Sequence, residues 1–311
     1  MSSEELSINT LILPVGTKIV TRIDLIAKDQ HIRRQKGAVG TVIKAPADHQ
    51  HAYVIRFPDG AEHPFKRHEL SILKEIQRDA WAAPDGAYDN LIEFVIYRCV
   101  VGSRAYGLDT ENSDTDRRGI YLPPANLHWA LYGIPEQLDL PETEECYWEM
   151  QKFLVLALKA NPNVLECLYT PLVEHKTEIA EELLAMRESF LSQLVYQTYN
   201  GYVLSQFKKL EQDLRSRGEL KWKHVMHLLR LLLEGISILK EGYVPVKTGE
   251  HRETLLAIKR GEMSWDDANK WRLELHKVFD TARETTRLPE RPDYMKANDF
   301  LIRTRKRMVS K

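Results

Sequence analysis

A buried strand that ends at a glycine and is followed by two spaced aspartates constrains this chain most. Residues 91–101 (LIEFVIYRCVV) are rich in β-branched and aromatic residues, so they predict a short helix or strand that ends as a buried strand. Gly102 breaks the pattern, and residues 106–113 (YGLDTENS) have the composition of a loop. Residues 114–122 (DTDRRGIYL) then predict a second strand.

Gly102 and Ser103 form a candidate phosphate-binding turn. Glycine permits a positive φ and a close approach of the backbone to a ligand, and Ser103 and the amides after it can direct several N–H groups at one phosphate oxygen. Arg104 follows directly, where a guanidinium can pair with a phosphate. The alternative for such a short motif is an ordinary structural turn.

Asp114 and Asp116 are candidate metal ligands. Alternation along a strand directs both side chains to one face, about 6 to 7 Å apart, with Thr115 on the other face. Arg118 shares the aspartate face, where it is expected to pair with Asp116. Two carboxylates can hold two divalent cations about 3.5 to 4 Å apart, which neutralise a triphosphate and align an in-line displacement. An Asp-x-Asp pair alone is common on solvated strands, but the order of the whole pattern favours the catalytic interpretation.

This stretch carries a family resemblance. Residues 102–124 (GSRAYGLDTENSDTDRRGIYLPP) resemble the core of the DNA polymerase beta-type nucleotidyltransferase superfamily, and most closely its predicted members associated with RNA ligases. Residues 152–171, 190–193 and 221–232 are similar to the same group, so the resemblance covers about residues 90–305. It implies a nucleoside triphosphate donor, Mg²⁺ or Mn²⁺, and an acceptor that is RNA, DNA or protein.

The resemblance also implies a third carboxylate on a later strand, which positions or deprotonates the attacking hydroxyl. We expect Glu145 in this role, with Asp114 and Asp116 as the other two metal ligands, because Glu145 leads into an apolar run. Glu144 and Glu149 are alternatives. Glu145 and Glu149 share one face of a strand, and Glu144 lies on the other. The family pattern more often has aspartate here, and a solvated acidic edge is the non-catalytic interpretation.

The strongest helical pattern of the chain covers residues 222–240. It carries a polar stripe of Lys223, His227, Arg230 and Glu234. Facing the carboxylates, Lys223, His227 and Arg230 would hold the triphosphate and offset the charge that builds on the leaving pyrophosphate. The alternative is the polar side of an otherwise buried helix. His224 and His227 are also a conceivable metal pair, although the sequence offers no third ligand.

The N-terminal part reads as a different kind of module. Residues 13–73 show short β-type runs, and Asp59 and Gly60 predict a hairpin turn. Residues 37–42 and 53–60 resemble small β-barrels of the SH3 or KOW type, which often bind nucleic acid or peptide. One interpretation is an RNA-binding surface made of Lys66, Arg67, His68, Tyr53, Phe57 and Phe65. The other is that the aromatic residues form the core, as aromatic residues at a period of two usually do.

The predicted fold class is α+β, in three parts. We expect a small SH3/KOW-like β-barrel over residues 1–75, a linker over 76–87, a polymerase beta-type nucleotidyltransferase α/β core over 88–186 and a helical domain over 187–311. A chain of 311 residues with 43% hydrophobic content is large enough for this arrangement.

The net charge of −1 gives no overall attraction to nucleic acid, so a polyanion site must come from local clustering. One basic cluster lies near the C-terminal end of the sequence and comprises Arg303, Arg305, Lys306, Arg307 and Lys311. We expect it to be a solvated, frayed helix end.

The cysteines indicate a reducing compartment. Cys99, Cys146 and Cys167 are dispersed in apolar contexts without a CxxC pair, as buried thiols of a cytoplasmic protein are. The first ten residues lack a basic, apolar signal sequence, and no apolar run approaches the ~18 residues that would span a membrane. A membrane partner is therefore not expected.

The sequence predicts a metal-dependent nucleotidyltransferase for RNA repair. It would move a nucleoside monophosphate from a nucleoside triphosphate to an acceptor hydroxyl, with RNA as the expected acceptor, and release pyrophosphate. Two alternatives stay open. One is a toxin-like enzyme that nucleotidylates a protein or tRNA, and the other is a non-catalytic RNA- or nucleotide-binding module with a degenerate transferase core.

Overall fold

The chain forms two compact units, Met1–Ala87 and Tyr88–Lys311. The computed structural model describes residues 12–26, 32–46, 48, 51–79, 88, 90–111, 113–218 and 220–309. Most of the predicted linker and all of the first ten residues therefore lie outside the described residues.

The N-terminal unit is a small antiparallel sheet. Its elements are β1 (Lys18–Thr21), β2 (Leu25–Ile26), β3 (Ile32–Arg34), β4 (Val39–Lys44), β5 (Tyr53–Arg56), β6 (Glu62–Phe65), β7 (Leu70–Ile72) and helix α1 (Leu73–Asp79). Five strands follow the order β6-β5-β4-β1-β7, and β2 pairs only with β3. Because β6 and β7 are the two edges, the ladder of the described strands is open, and the predicted barrel is not confirmed.

The hairpin prediction is confirmed, since Asp59 and Gly60 lie between the antiparallel strands β5 and β6 and Gly60 has φ +83°. The aromatic residues of the predicted RNA surface lie instead in the core. Tyr53, Phe57 and Phe65 are at most 3% exposed and pack in one hydrophobic cluster. They cannot stack on bases from this position, and the core interpretation is the right one for them.

The second unit is built on a mixed sheet. Its strands are β8 (Val95–Val100), β9 (Arg117–Tyr121), β10 (Gln137–Leu140), β11 (Glu145–Glu149) and β12 (Val173–Lys176). The order is β10-β11-β9-β8-β12, in which β11 and β9 are parallel and the other pairs are antiparallel. A 3₁₀ turn at Leu91–Phe94 leads into β8, which confirms the predicted helix-or-strand start of this segment.

Helices cover this sheet and form the C-terminal half of the unit. They are α2 (Gly102–Tyr106), α3 (Ala125–Trp129), α4 (Met150–Leu158), α5 (Pro162–Tyr169), α6 (Glu178–Ala185), α7 (Leu194–Arg217), α8 (Trp222–Glu241), α9 (Arg252–Lys259), α10 (Trp265–Thr285) and α11 (Tyr294–Arg307). The described helices include none that is long and apolar enough to cross a bilayer. Asn161 caps α5, with Pro162 at the first helical position.

One hydrophobic cluster connects the sheet with the helices. Cys99 and Trp148 on the sheet, Leu229 on α8 and Phe300 on α11 all belong to it. The three cysteines are free and buried, as predicted. Since the cluster continues through both halves of the unit, the boundary at residues 186 and 187 stays a prediction.

The basic end of α11 is solvated at Arg303, Lys306 and Arg307, as predicted, but it is not frayed, because the helix continues through Arg307 and two of its arginines are paired. Arg305 donates to Glu149 at 3.0 Å, and Arg307 pairs with Glu182. Glu149 is the N-cap of α4, and its buried carboxylate also accepts this charge-assisted hydrogen bond from Arg305. Lys311 lies outside the described residues.

Gly119 in the middle of β9 gives a test of this packing. A Cβ atom there would lie 1.9 Å from the carbonyl oxygen of Tyr97 and 2.9 Å from the Tyr147 ring. We predict that Gly119→Ala lowers the free energy of unfolding by at least about 2 kcal/mol, measured by urea unfolding. The control is Gly201→Ala on the exposed side of α7, where nothing lies within 4 Å. The control should raise stability by about 0.5 to 1 kcal/mol, and equal effects of the two changes would contradict the packing described for β9.

Candidate functional site

The glycine after β8 is required by the site itself. Gly102 has φ +71°, and a Cβ atom on it would lie 2.6 Å from Oδ2 of Asp116. Both the backbone conformation and the space therefore favour glycine. The structure differs from the predicted turn, because Gly102 and Ser103 begin the short helix α2, which ends at Gly107 in the left-handed region.

The two aspartates lie at the amino end of β9. The strand begins at Arg117, three residues later than the sequence predicts, and the amide of Val101 donates to the carbonyl oxygen of Asp116 at 3.0 Å. This bond continues the β8–β9 ladder by one step and brings the Asp116 side chain against Gly102. The Asp116 side chain is partly exposed, and Asp114 is exposed. Both carboxylates are therefore accessible to a ligand.

Two arginines hold this corner of the sheet. Arg118 pairs with Asp116 at 3.4 Å, which confirms the predicted pairing. Arg104 donates to the carbonyl oxygens of Ser113 at 2.7 Å and Asp114 at 3.3 Å. Arg104 thus fixes the loop that carries Asp114, and its donors are directed at the protein backbone.

A pocket of about 400 Å³ opens beside Gly102. Its walls are Gly102, Ser103, Tyr106, Asp116, Lys221, Lys223, His224, Met226, His227 and Lys259. The structure thus brings the predicted residues Gly102, Ser103, Asp116, Lys223 and His227 to one cavity. Sequence reasoning missed Lys221 and Lys259. Lys221 directly precedes α8, so its position next to the predicted helix is a signal that could have found it. Nothing in the sequence connects Lys259 on α9 with this pocket.

The pocket holds three lysines beside Asp116, and burial disfavours the charged form of its two histidines. Burial lowers the pKa of Lys259, and Lys223 lowers it further. Burial, together with nearby lysines, lowers the pKa of His224. Burial lowers the pKa of His227 to about 3, assisted by the charges of Arg230, His224 and Lys223. A bound polyanion would stabilise the charged forms of Lys259, His224 and His227.

Glu145 is not brought to the aspartates. In the parallel ladder of β11 and β9, Glu145 is opposite Arg117 and Cys146 is opposite Arg118. Neighbours in register share a face, so Glu145 lies on the face of the sheet opposite to Arg118 and Asp116. There it accepts a hydrogen bond from Tyr147 and lies 4.0 Å from Arg98.

The two alternative glutamates have different surroundings. Glu149 is buried as the N-cap of α4, where its carboxylate accepts from the amides of Gln151 and Lys152 and pairs with Arg305. Glu144 is exposed and directly precedes β11. Its carbonyl oxygen accepts from the amide of Arg117 at 3.1 Å and from the Arg118 guanidinium at 2.9 Å. Glu144 is thus the glutamate tied to the arginine that pairs with Asp116.

Arg230 lies behind the pocket and does not line it. Its guanidinium donates to Glu166 at 2.7 Å and to Glu234 at 2.5 Å, and all three side chains are at most 3% exposed. The guanidinium also lies 3.8 Å from the centre of the Tyr106 ring. Burial and the neighbouring Glu166 raise the pKa of Glu234 to about 8.

The aspartates suit a metal that binds together with a nucleotide. Within the described residues, no group of three or more histidine, cysteine, aspartate or glutamate side chains is placed to hold a metal, so His224 and His227 gain no third ligand. Mg²⁺ is commonly held by one or two protein carboxylates, with water and substrate phosphates completing the shell. The accessible carboxylate of Asp116, which lines the pocket, fits that mode, whereas Asp114 is exposed but does not line the pocket.

Sequence comparisons relate this chain to known proteins. Residues 68–303 match the model of a family described as the RNA repair pathway DNA polymerase beta family. The chain is also similar to the protein titled "Uncharacterized protein YcgL" of Bacillus subtilis (strain 168), with 29% identity over 156 residues. That match covers 49% of this chain and 58% of the relative, so the chain spans less than two thirds of the relative's length.

The depressed pKa of His227 predicts a pH dependence of stability. The folded pKa of about 3 is below the ordinary value of 6.5, so the unfolded chain takes up a proton that the folded chain refuses. Stability from this group is therefore present above pH 6.5 and falls as the pH drops towards 3, by up to about 1.4 kcal/mol per pH unit. We expect His227→Gln to cost less stability at pH 5 than at pH 8, measured by urea unfolding. An equal cost at both pH values would contradict the neutral, buried imidazole.

Proposed function

The chain belongs to the RNA repair pathway DNA polymerase beta family, and on that premise we propose that it is a nucleotidyltransferase that transfers a nucleoside monophosphate from a nucleoside triphosphate to a hydroxyl of RNA. Nucleotidyl transfer is the activity that the family description indicates. One observation carries the finer proposal: the Asp116 carboxylate, pressed against Gly102, shares a pocket with three lysines. A carboxylate beside clustered cations suits a metal-bound triphosphate.

Most groups in the pocket have a role in this proposal, and so do Asp114 and Arg104 outside it. The amides after Gly102, the Ser103 hydroxyl and the lysines at 221, 223 and 259 bind the triphosphate. Asp114 and Asp116 hold Mg²⁺ or Mn²⁺, which neutralises phosphate oxygens and aligns the displacement when it is bound. Neutral His227 donates a hydrogen bond without adding charge. Arg104 keeps the loop of Asp114 in place through the backbone of that loop.

The transfer step forms one bond and breaks one. The acceptor oxygen attacks the α-phosphorus while the bond from the α-phosphorus to the bridging oxygen breaks, and pyrophosphate leaves with that oxygen. Charge builds on the leaving group, where the lysines stabilise it. The hydroxyl proton passes to a carboxylate, a role that we assign to Glu144 and not to Glu145. The support is the chain of contacts from Asp116 through Arg118 to the backbone of Glu144.

The remaining parts of the proposal concern organisation. We assign the N-terminal sheet to an SH3 or KOW type of module, supported by the pairing of its strands β1 and β7 and the continuing order β4-β5-β6. A linker would join it to a transferase core over residues 88–186, and a helical domain over 187–311 would close the cleft. The free, buried cysteines support a reducing compartment such as the cytoplasm.

The aspartates test the activity. We predict that Asp114→Asn and Asp116→Asn each lower incorporation of labelled nucleotide into RNA, in the presence of Mg²⁺ or Mn²⁺, by at least about a hundredfold. The matched control is Asp139→Asn, because Asp139 is an exposed aspartate on β10 that does not line the pocket. Full activity of both site variants would refute the proposal. Label in protein or tRNA would favour the toxin-like alternative, and binding of the triphosphate without product would favour the non-catalytic one.

The two adjacent glutamates test the third carboxylate. We predict that Glu144→Gln lowers kcat by about a hundredfold through loss of a proton acceptor, whereas Glu145→Gln stays within about threefold of the wild type. Glu145 contacts Tyr147 and lies near Arg98 on the other face of the sheet, so its change should affect stability more than kcat. The reverse ranking in single-turnover assays would return the role to Glu145.

A further inference from the structure

A buried polar network lies under the pocket and connects four helices. Arg230 on α8 is its centre. One guanidinium nitrogen donates to Glu234, which accepts from the Tyr199 hydroxyl at 2.7 Å. The other donates to Glu166 on α5, which accepts from the Tyr106 hydroxyl at 2.6 Å. The network thus has two arms of the same composition, each a glutamate followed by a tyrosine.

Only one arm reaches the pocket. Tyr106 is the last residue of α2 and forms part of the pocket wall, whereas Tyr199 on α7 does not line the pocket. The Arg230 guanidinium also lies 3.8 Å from the centre of the Tyr106 ring. Tyr106 is therefore held by its hydroxyl through Glu166 and by its ring through Arg230.

The helical half of the unit holds the end of α2 as well. The amide and hydroxyl of Thr248 both donate to the carbonyl oxygen of Tyr106, at 3.1 and 3.0 Å. Arg252 donates to the carbonyl oxygen of Gly107 at 2.8 Å, and Lys259 to that of Leu108 at 2.7 Å. A helix of five residues cannot fix its own position, so these contacts determine where its first residues lie.

We propose that Glu166 and Arg230 are positioning residues, which fix α2 through Tyr106 and so place the Gly102–Ser103 end of α2 for the triphosphate. This inference rests on the proposed function for the identity of the ligand. The positioning of α2 by Glu166 and Arg230 does not depend on that identity. The Arg230 arm toward Glu234 and Tyr199 stabilises the helices without acting on α2. Loss of the Glu166 arm should consequently affect the pocket, and loss of the Glu234 arm should affect stability alone.

The two arms provide a matched experiment. Glu166→Gln and Glu234→Gln each change one buried glutamate side chain that contacts Arg230 and a tyrosine. We expect Glu166→Gln to raise the dissociation constant of each Mg²⁺–ribonucleoside triphosphate that the wild type binds by about tenfold, as loss of groups that orient ligand contacts often does. Glu234→Gln should change it by less than about twofold, whatever its effect on the melting temperature.

Hydrogen exchange gives a readout that does not depend on the nucleotide. The amides of Gly107 and Leu108 donate within α2, to Arg104 and Ser103, and report its order. We expect faster exchange over residues 102–108 in Glu166→Gln than in Glu234→Gln. If the wild type binds no triphosphate, the proposed function fails, and the exchange data still decide whether Glu166 positions α2.

A second pair of variants serves if the glutamine variants do not fold. Tyr106→Phe and Tyr199→Phe each remove one hydroxyl from a buried glutamate and leave every charge in place. The same ranking is expected, with weaker triphosphate binding and faster exchange in Tyr106→Phe alone. Equal changes in binding and in exchange for the two members of a pair would overturn the positioning role and leave a network that only stabilises the fold.

Discussion

The contact between the backbone of Gly102 and the carboxylate of Asp116 governs the arrangement of the site. It joins the end of β8 to the start of β9 with no room for a side chain between them, and the hydrogen bond from Val101 to Asp116 fixes the same pair of strands. The Asp116 carboxylate lies near the first amides of α2, where the positive end of a helix dipole favours an acidic group. One side of this carboxylate stays open to the pocket. That open side is where the lysines lie.

The charge of the pocket comes from elements that are distant in the sequence. Lys221 and Lys223 lie at the start of α8, and Lys259 ends α9, whereas the carboxylate comes from the sheet. Lys223 lowers the pKa of both Lys259 and His227, which are partly buried beside it. In the proposed function, a triphosphate and a metal would each neutralise groups of this pocket that the other leaves uncompensated.

Local patterns predicted much of this unit, and long-range placement accounts for what they missed. The strand before Gly102, the long helix that begins at Trp222 and the pairing of Arg118 with Asp116 follow from composition and periodicity. A helical stripe indicates which residues share a face but not how deep each one lies. Lys223 and His227 therefore reach the pocket as predicted, while Arg230, further along α8, is buried against Glu166. The contribution of Lys259 depends on the packing of α9, which no local pattern contains.

Glu145 shows why a shift of one residue matters where a strand begins. A strand alternates its faces, so a carboxylate moved by one position changes from one side of the sheet to the other. The sequence offers two adjacent glutamates, and periodicity alone states only that they differ in face. In the ladder with β9, Glu145 is aligned with Arg117, whose guanidinium pairs with Glu174 away from the aspartates. Glu144 lies outside that ladder, and its carbonyl oxygen accepts from Arg118, which pairs with Asp116, so our proposal assigns the third carboxylate to Glu144.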